Sequence, residues 1–162
     1  MNKPLLVLDT NVVLDLLHFD DVTVRPLLCA LEAGRVRCVV TGTTLDEWRR
    51  VLAYPEFALE PALQAELLAR YQAMSETAGA GEAGAGPRKG TSIRYGLGTV
   101  WSGMPRCSDP DDQKFLELAA ATSAQGLVSK DRALLKLRRR CAPQFQIMSP
   151  AEAVRWLDEM PA

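Results

Sequence analysis

The chain has 162 residues, 48% hydrophobic and 24% charged, with a formal net charge of −1. That length suits one ordinary domain with a sizeable core, and that composition a soluble globular protein. No apolar stretch is long enough to span a bilayer and no basic segment leads into an apolar one near the start, so a cytoplasmic protein is expected.

Residues 5–9 (LLVLD) are a short apolar run after Pro4, the pattern of a buried parallel strand, and Val12, Val13, Leu16 and Leu17 follow at helical spacing. Residues 36–41 (VRCVVT) predict a second strand after Gly34. Thr43-Thr44 open a helix that carries Leu45, Trp48, Val51 and Leu52 on one face. A further helix covers residues 59–75, with Pro61 near its start. Composition then changes: the Gly/Ala-rich residues 78–100 have little apolar surface to bury and are expected to form a mobile insertion. SDPDDQKFLELAAATSA predicts a helix, GLVS a strand running into Lys130-Asp131, RALLKLRRR a helix and FQIMS a last strand. SPAEAVRWLDEM predicts a terminal helix with Ser149 as cap, Pro150 at the first position and Glu152 closing a capping box. Strands alternating with helices predict an α/β protein with a mainly parallel sheet, one domain over residues 1–162.

The cysteines show no C-x-x-C spacing and His18 is the only histidine, so zinc is not expected and any metal would be a hard ion on carboxylates. The small net charge gives no global sign of nucleic-acid binding, yet divalent ions would reverse the local sign of an acidic site.

Four acids fall where such a site would lie, because ligands of open parallel sheets bind beyond the carboxyl ends of the strands. Asp9 ends the first strand and Asp131 follows the GLVS strand. Glu47 lies on the first turns of the helix after the second strand, and Asp112 on the first turn of the helix leading to GLVS. Taken singly, each has a structural explanation. Asp9 and Asp131 can cap the helices after them, Glu47 can close a capping box with Thr44, and the SDPDD acids suit a helix N-terminus, with Asp109 a good cap before Pro110. Angular position weakens that account for Asp112. Phe115, Leu116 and Ala119 stand at i+3, i+4 and i+7 from it, which places Asp112 on the buried stripe, with no lysine, arginine or histidine at an obvious neighbouring position. Two carboxylates about 4 Å apart repel by roughly 4 kcal/mol at an effective dielectric near 20, and a divalent ion removes that penalty. Oxygen-only ligation suits Mg²⁺ or Mn²⁺, ions that activate water and neutralise the charge of a phosphodiester under attack.

The segments LLVLDTNVVLDLL, TGTTLDEWRRVL, CSDPDDQKFLELA and GLVSKDRALL resemble, in order and spacing, those of PIN-domain proteins. The similarity extends to the PIN-family toxin components of bacterial toxin–antitoxin systems, relatives of VapC-type ribonucleases. It covers nearly the whole chain except the Gly/Ala-rich stretch. The resemblance implies a three-layer α/β/α sandwich around a five-stranded parallel sheet and a Mg²⁺- or Mn²⁺-dependent ribonuclease site. The family's four acids match Asp9, Glu47, Asp112 and Asp131, as catalytic groups and metal ligands, and its small polar residues match Thr10, Asn11 and Ser129. An RNA substrate, a cognate antitoxin and a homodimer are implied with them. Lys130 stands where glycine is common and Trp48 where leucine is usual; neither departure removes an acid.

Lys130 and, in the KLRRR run, Arg138 and Arg139 are candidate RNA contacts, although basic residues near a helix C-terminus are favourable anyway. His18 reads as an ordinary packing or surface histidine more readily than as a general base. An aspartyl-phosphate phosphatase also places an aspartate after its first strand, but normally wants an acid two residues on, where this chain has Asn11. A non-catalytic PIN module that only binds partners is the other alternative.

Overall fold

The computed structural model describes residues 3–78 and 103–160. Five short strands carry the fold: β1 (Leu5–Leu8), β2 (Arg37–Val40), β3 (Ser75–Thr77), β4 (Gly126–Val128) and β5 (Gln146–Met148). All pair in parallel, in the order β3-β2-β1-β4-β5. The helices among the described residues are α1 (Thr10–Leu17), α2 (Arg25–Glu32), α3 (Gly42–Leu52), α4 (Pro61–Ala73), α5 (Gln113–Ala121), α6 (Arg132–Leu135), α7 (Arg138–Cys141) and α8 (Pro150–Asp158).

Because side chains alternate across a strand, the apolar runs feed two cores. Leu6, Leu8, Cys38, Val40, Val128 and Met148 face a layer built from α1–α4 and α8. Leu5, Val7, Val39, Leu127 and Ile147 face Phe115, Leu116, Leu134 and Cys141 of α5–α7. The sheet is therefore the middle layer of an α/β/α sandwich, as expected. At Gly126 an added Cβ would lie 2.6 Å from Met148 Cε and 3.2 Å from Leu6 Cδ2, so glycine is what lets side chains of β1 and β5 close over β4.

Several expectations are corrected. The helix expected over 59–75 stops at Ala73, and residues 75–77 turn to pair with the free edge of β2 as β3. The single helix expected over 132–140 is two short ones. The Leu137 N–H bonds back to Leu134 O at 2.9 Å, tightening the chain so that Leu134, Leu137 and Cys141 all reach the core. Helix α2, not among the elements expected, closes with Gly34 at φ 75°, the left-handed stop that glycine accepts without strain. The stretch expected to be a mobile insertion lies, beyond Ala78, outside the described residues. Among the described residues, no helix is long and apolar enough to cross a membrane.

Candidate metal centre

Strand order reverses direction between β1 and β4: β2 and β3 build away on one side of β1, β5 on the other side of β4. The carboxyl ends of these two central strands form a topological switch point, where the loops part and leave a crevice. Asp9 leaves β1 there, its N–H donating to Val128 O of β4 at 3.0 Å. Ser129 and Asp131 leave β4 beside it.

These three residues are tied together. Ser129, fully buried, donates its hydroxyl to Asp9 Oδ2 at 2.7 Å and accepts the Asp131 N–H at 2.9 Å. Asp9 is the N-cap of α1, its Oδ1 accepting a long 3.4 Å bond from the Asn11 N–H. Asp131 caps α6 through Oδ1, which accepts from Ala133 N at 2.9 Å. Capping and site membership are thus compatible: a cap bond engages one oxygen of a carboxylate and leaves the other.

The turn that leads into α5 brings two more acids. Residues Pro110–Asp112 form a 3-10 turn capped by Asp109, whose Oδ1 accepts from Asp111 N at 3.0 Å. Asp112 follows at the junction with α5, makes no cap bond, and is 8% exposed above Phe115 and Leu116, as the stripe predicted. Its Oδ2 is buried with no hydrogen-bond partner. One oxygen each of Asp109, Asp112 and Asp131 lies within 4.8 Å of the others. Asp109, read from the sequence only as a cap, therefore belongs to the cluster. The signal that could have found it is the spacing: a turn of three residues keeps both its cap and its last residue at the same strand end.

Glu47 comes from α3, and it does not close a capping box with Thr44. That box is made by Thr41 and Thr44, whose side chains each bond the other's backbone N–H, at 3.1 and 2.9 Å. Glu47 instead accepts the Thr10 hydroxyl at 2.5 Å and is ion-paired with Lys114, a partner the sequence did not suggest. Of the remaining candidates, Asn11 is exposed, with only its N–H turned to Asp9. Lys130 pairs with the buried Asp15 at 2.8 Å. Arg138 grips Glu152 with two bonds, at 2.9 and 3.0 Å. It lines, with Arg139, Arg155, Trp156, Glu152 and Glu159, a groove of about 410 Å³ on the free edge of β5 that includes none of Asp9, Glu47, Asp109, Asp112 and Asp131. His18 packs against Phe19 and Phe57, ring centroids 4.8 and 5.5 Å away.

The electrostatics follow from burial and crowding. Asp112 is pushed up to about 8, chiefly by burial, then by the Asp131 carboxyl it faces and by the charges of Asp9 and Asp109. Asp131 is held below its ordinary value, first by the proton Asp112 shares with it and then by the Ala133 N–H. Asp9 is raised by burial, against the lowering effect of Ser129 and Asn11, with Glu47 and Asp131 adding repulsion. An acid raised on folding binds protons more tightly in the native state, so its contribution to stability falls between about pH 4 and the raised value. Asp112 and Asp9 act in that sense. Asp131 acts in the opposite sense, its stabilising contribution present above its unfolded value and lost below about pH 4. The metal-free protein should therefore melt several degrees lower at about pH 8.5 than at about pH 6, and saturating Mg²⁺ should shrink the difference. Differential scanning calorimetry checks this; a metal-free Tm that rises over that interval would refute the shared proton.

A family model described as a PIN domain matches residues 5–133, a span that contains all five acids and Ser129. The chain belongs to the PIN-domain family. The match stops short of α7, β5 and α8, so the β5 groove is outside what the family pattern describes. No curated protein and no solved structure matches the chain.

Proposed function

We propose that this PIN domain is a metal-dependent endoribonuclease that hydrolyses RNA phosphodiester bonds, and the toxin of a type II, VapC-like toxin–antitoxin pair. The observation that carries the reading is Asp112 Oδ2, a buried carboxylate oxygen facing other carboxylates with no donor. A protein that retains such an atom, at several kcal/mol if ionised, has a use for it. The donor set is all oxygen and strongly acidic, which fits Mg²⁺ or Mn²⁺. Asp112 and Asp131 would hold the ion, with Asp9 and Glu47 beside them. When bound, such an ion supplies Lewis acidity, polarising water and a phosphate oxygen.

The chain's own residues do the rest. Ser129 locks the Asp9 carboxylate and the Asp131 backbone into one register, so the two strand ends cannot drift apart. Asp112 holds the shared proton at neutral pH until a cation takes its place. Asp131, held ionised, offers an anionic oxygen to the cation. Thr10 of α1 orients Glu47 by donating its hydroxyl to Oε2.

Membership of the PIN family supports the nuclease, and the resemblance of the strand-end segments supports the toxin assignment. The partners proposed with it are single-stranded RNA, a cognate antitoxin and a second copy of the chain, in the cytoplasm. An antitoxin arginine laid into the acidic crevice would silence the site by supplying the charge of the metal. Incubation of the purified chain with single-stranded RNA should give cleavage with Mg²⁺ or Mn²⁺ and none with a chelator. RNA left intact at saturating metal would reject the ribonuclease.

A further inference from the structure

The five carboxylates at the strand ends are not equally free. Glu47 has both oxygens engaged, Oε2 by Thr10 at 2.5 Å and Oε1 by the Lys114 ammonium. Asp9 likewise gives Oδ2 to Ser129 and Oδ1 to the Asn11 N–H. Asp109 and Asp131 each use Oδ1 in cap bonds to Asp111 and Ala133, and Asp131 also faces the Asp112 carboxyl. Asp112 has the buried oxygen with no donor. The open oxygens therefore gather on one side, where Asp109, Asp112 and Asp131 come within 4.8 Å of one another.

Lys114 closes the other side. It stands on the first turn of α5, two residues after Asp112, and its side chain is only 22% exposed. Its Nζ donates to the Asp111 carbonyl and to Glu47, and lies 5.0 Å from the centroid of the buried Phe115 ring. A cation held in three ways is a fixture of the site rather than a wandering surface charge. Two-ion phosphodiesterase centres need a second set of free oxygens close to the first. Here that second set would have to come from Glu47 and Asp9, and the Lys114 ammonium already stands against Glu47, where its positive charge repels a second cation.

We propose that this PIN domain binds one divalent ion, on Asp109, Asp112 and Asp131, and that the Lys114 ammonium is the permanent counter-charge of Glu47, in place of a second ion. The inference deepens the nuclease reading and rests on it for the nature of the bound group, but the number of ions is measured without RNA. Asp109 becomes a ligand as well as a cap. Lys114 is a positioning residue, fixing Glu47 by charge whatever the metal concentration.

Titration of the whole chain with Mn²⁺ alone, by calorimetry and by loss of the free-ion resonance signal, tests this. The parent should bind one ion per chain, Lys114→Met two, and Lys114→Arg, which keeps the charge, one. Asp109→Asn should weaken the single site by about tenfold or more, the scale on which metal sites respond to a lost supporting group, whereas Asp111→Asn should leave it unchanged. Two ions in the parent, one ion in a folded Lys114→Met, or an unaltered affinity in Asp109→Asn would each overturn the proposal. Should Lys114→Met fail to fold by circular dichroism, the parent count and the Asp109→Asn affinity still decide. A parent that binds one ion, responds to the variants as stated and leaves RNA intact would uphold this inference while removing the nuclease.

Discussion

Replacing Asp112 with asparagine is expected to abolish Mg²⁺- or Mn²⁺-dependent cleavage of single-stranded RNA while leaving the metal-free protein as stable as the parent or more stable. Shape is nearly preserved and one charge leaves a crowded acidic pocket. Asp112 is buried, faces Asp131, and feels Asp9 and Asp109, so its ionised form is costly. It makes no side-chain cap bond, so no helix end is lost with it. The amide can also donate to Asp131, which the carboxylate can do only while protonated. Asparagine needs no proton to enter this pocket, whereas the carboxyl, pushed up to about 8, must take one up on folding at neutral pH, so the change is worth about 1 kcal/mol or more. Metal should raise the melting temperature of the parent more than that of the variant, because an ion that binds only the folded state stabilises it by mass action. Asp111→Asn is the matched control: exposed, in the same turn, and expected to cost a fraction of a kcal/mol through the helix dipole. A variant that melted below the parent without metal and still cut RNA would show that Asp112 serves the fold.

Asp112 also shows what a sequence can reveal. Its place on the stripe with Phe115, Leu116 and Ala119 is a matter of helical period, and period is local, so burial was readable. The same holds for β1, β2, β4 and β5, whose apolar residues serve both cores and leave continuous hydrophobic runs. β3 was not readable, because Ser-Glu-Thr has no apolar pattern and becomes a strand only by pairing with β2. Asp109 and Lys114 were missed for a different reason. Each has a sufficient local role, a cap before proline and a charge on a first turn, and only the meeting of the α5 entry with α3 and the end of β4 shows what else they touch. The opposition between cap and site, natural when the acids are taken one at a time, dissolves once their two oxygens are followed separately.

The largest loss of stability is expected from Trp48→Ala, about 3–5 kcal/mol in denaturant unfolding, the usual range for a large aromatic truncated in a core. Trp48 is 1% exposed and sits where α3 meets α4. Its ring meets Tyr71 edge-on, centroids 6.0 Å apart at 76°, and its Nε1 donates to Leu67 O at 3.4 Å. Removing it leaves a cavity that Leu52, Leu67 and Tyr71 would have to collapse into, and both helices are anchored from the sheet side as well. The ring is also the nearest packed neighbour in sequence to Glu47. By fixing how α3 rolls on α4, it helps to keep Glu47 turned toward Thr10 and Lys114. Leucine fills part of the space, so Trp48→Leu should cost about 2 kcal/mol. The Thr41–Thr44 capping box still sets the start of α3 in that variant, and Asp109, Asp112 and Asp131 lie on other segments, so the Mn²⁺ response should survive. Measured unfolding free energies and Mn²⁺-induced shifts in Tm separate the two roles. A Trp48→Ala protein within about 1 kcal/mol of the parent would mean that α4 is not anchored by this ring. A Trp48→Leu protein that folds but has lost its metal response would mean that the packing of α3 on α4 shapes the Asp109, Asp112 and Asp131 site.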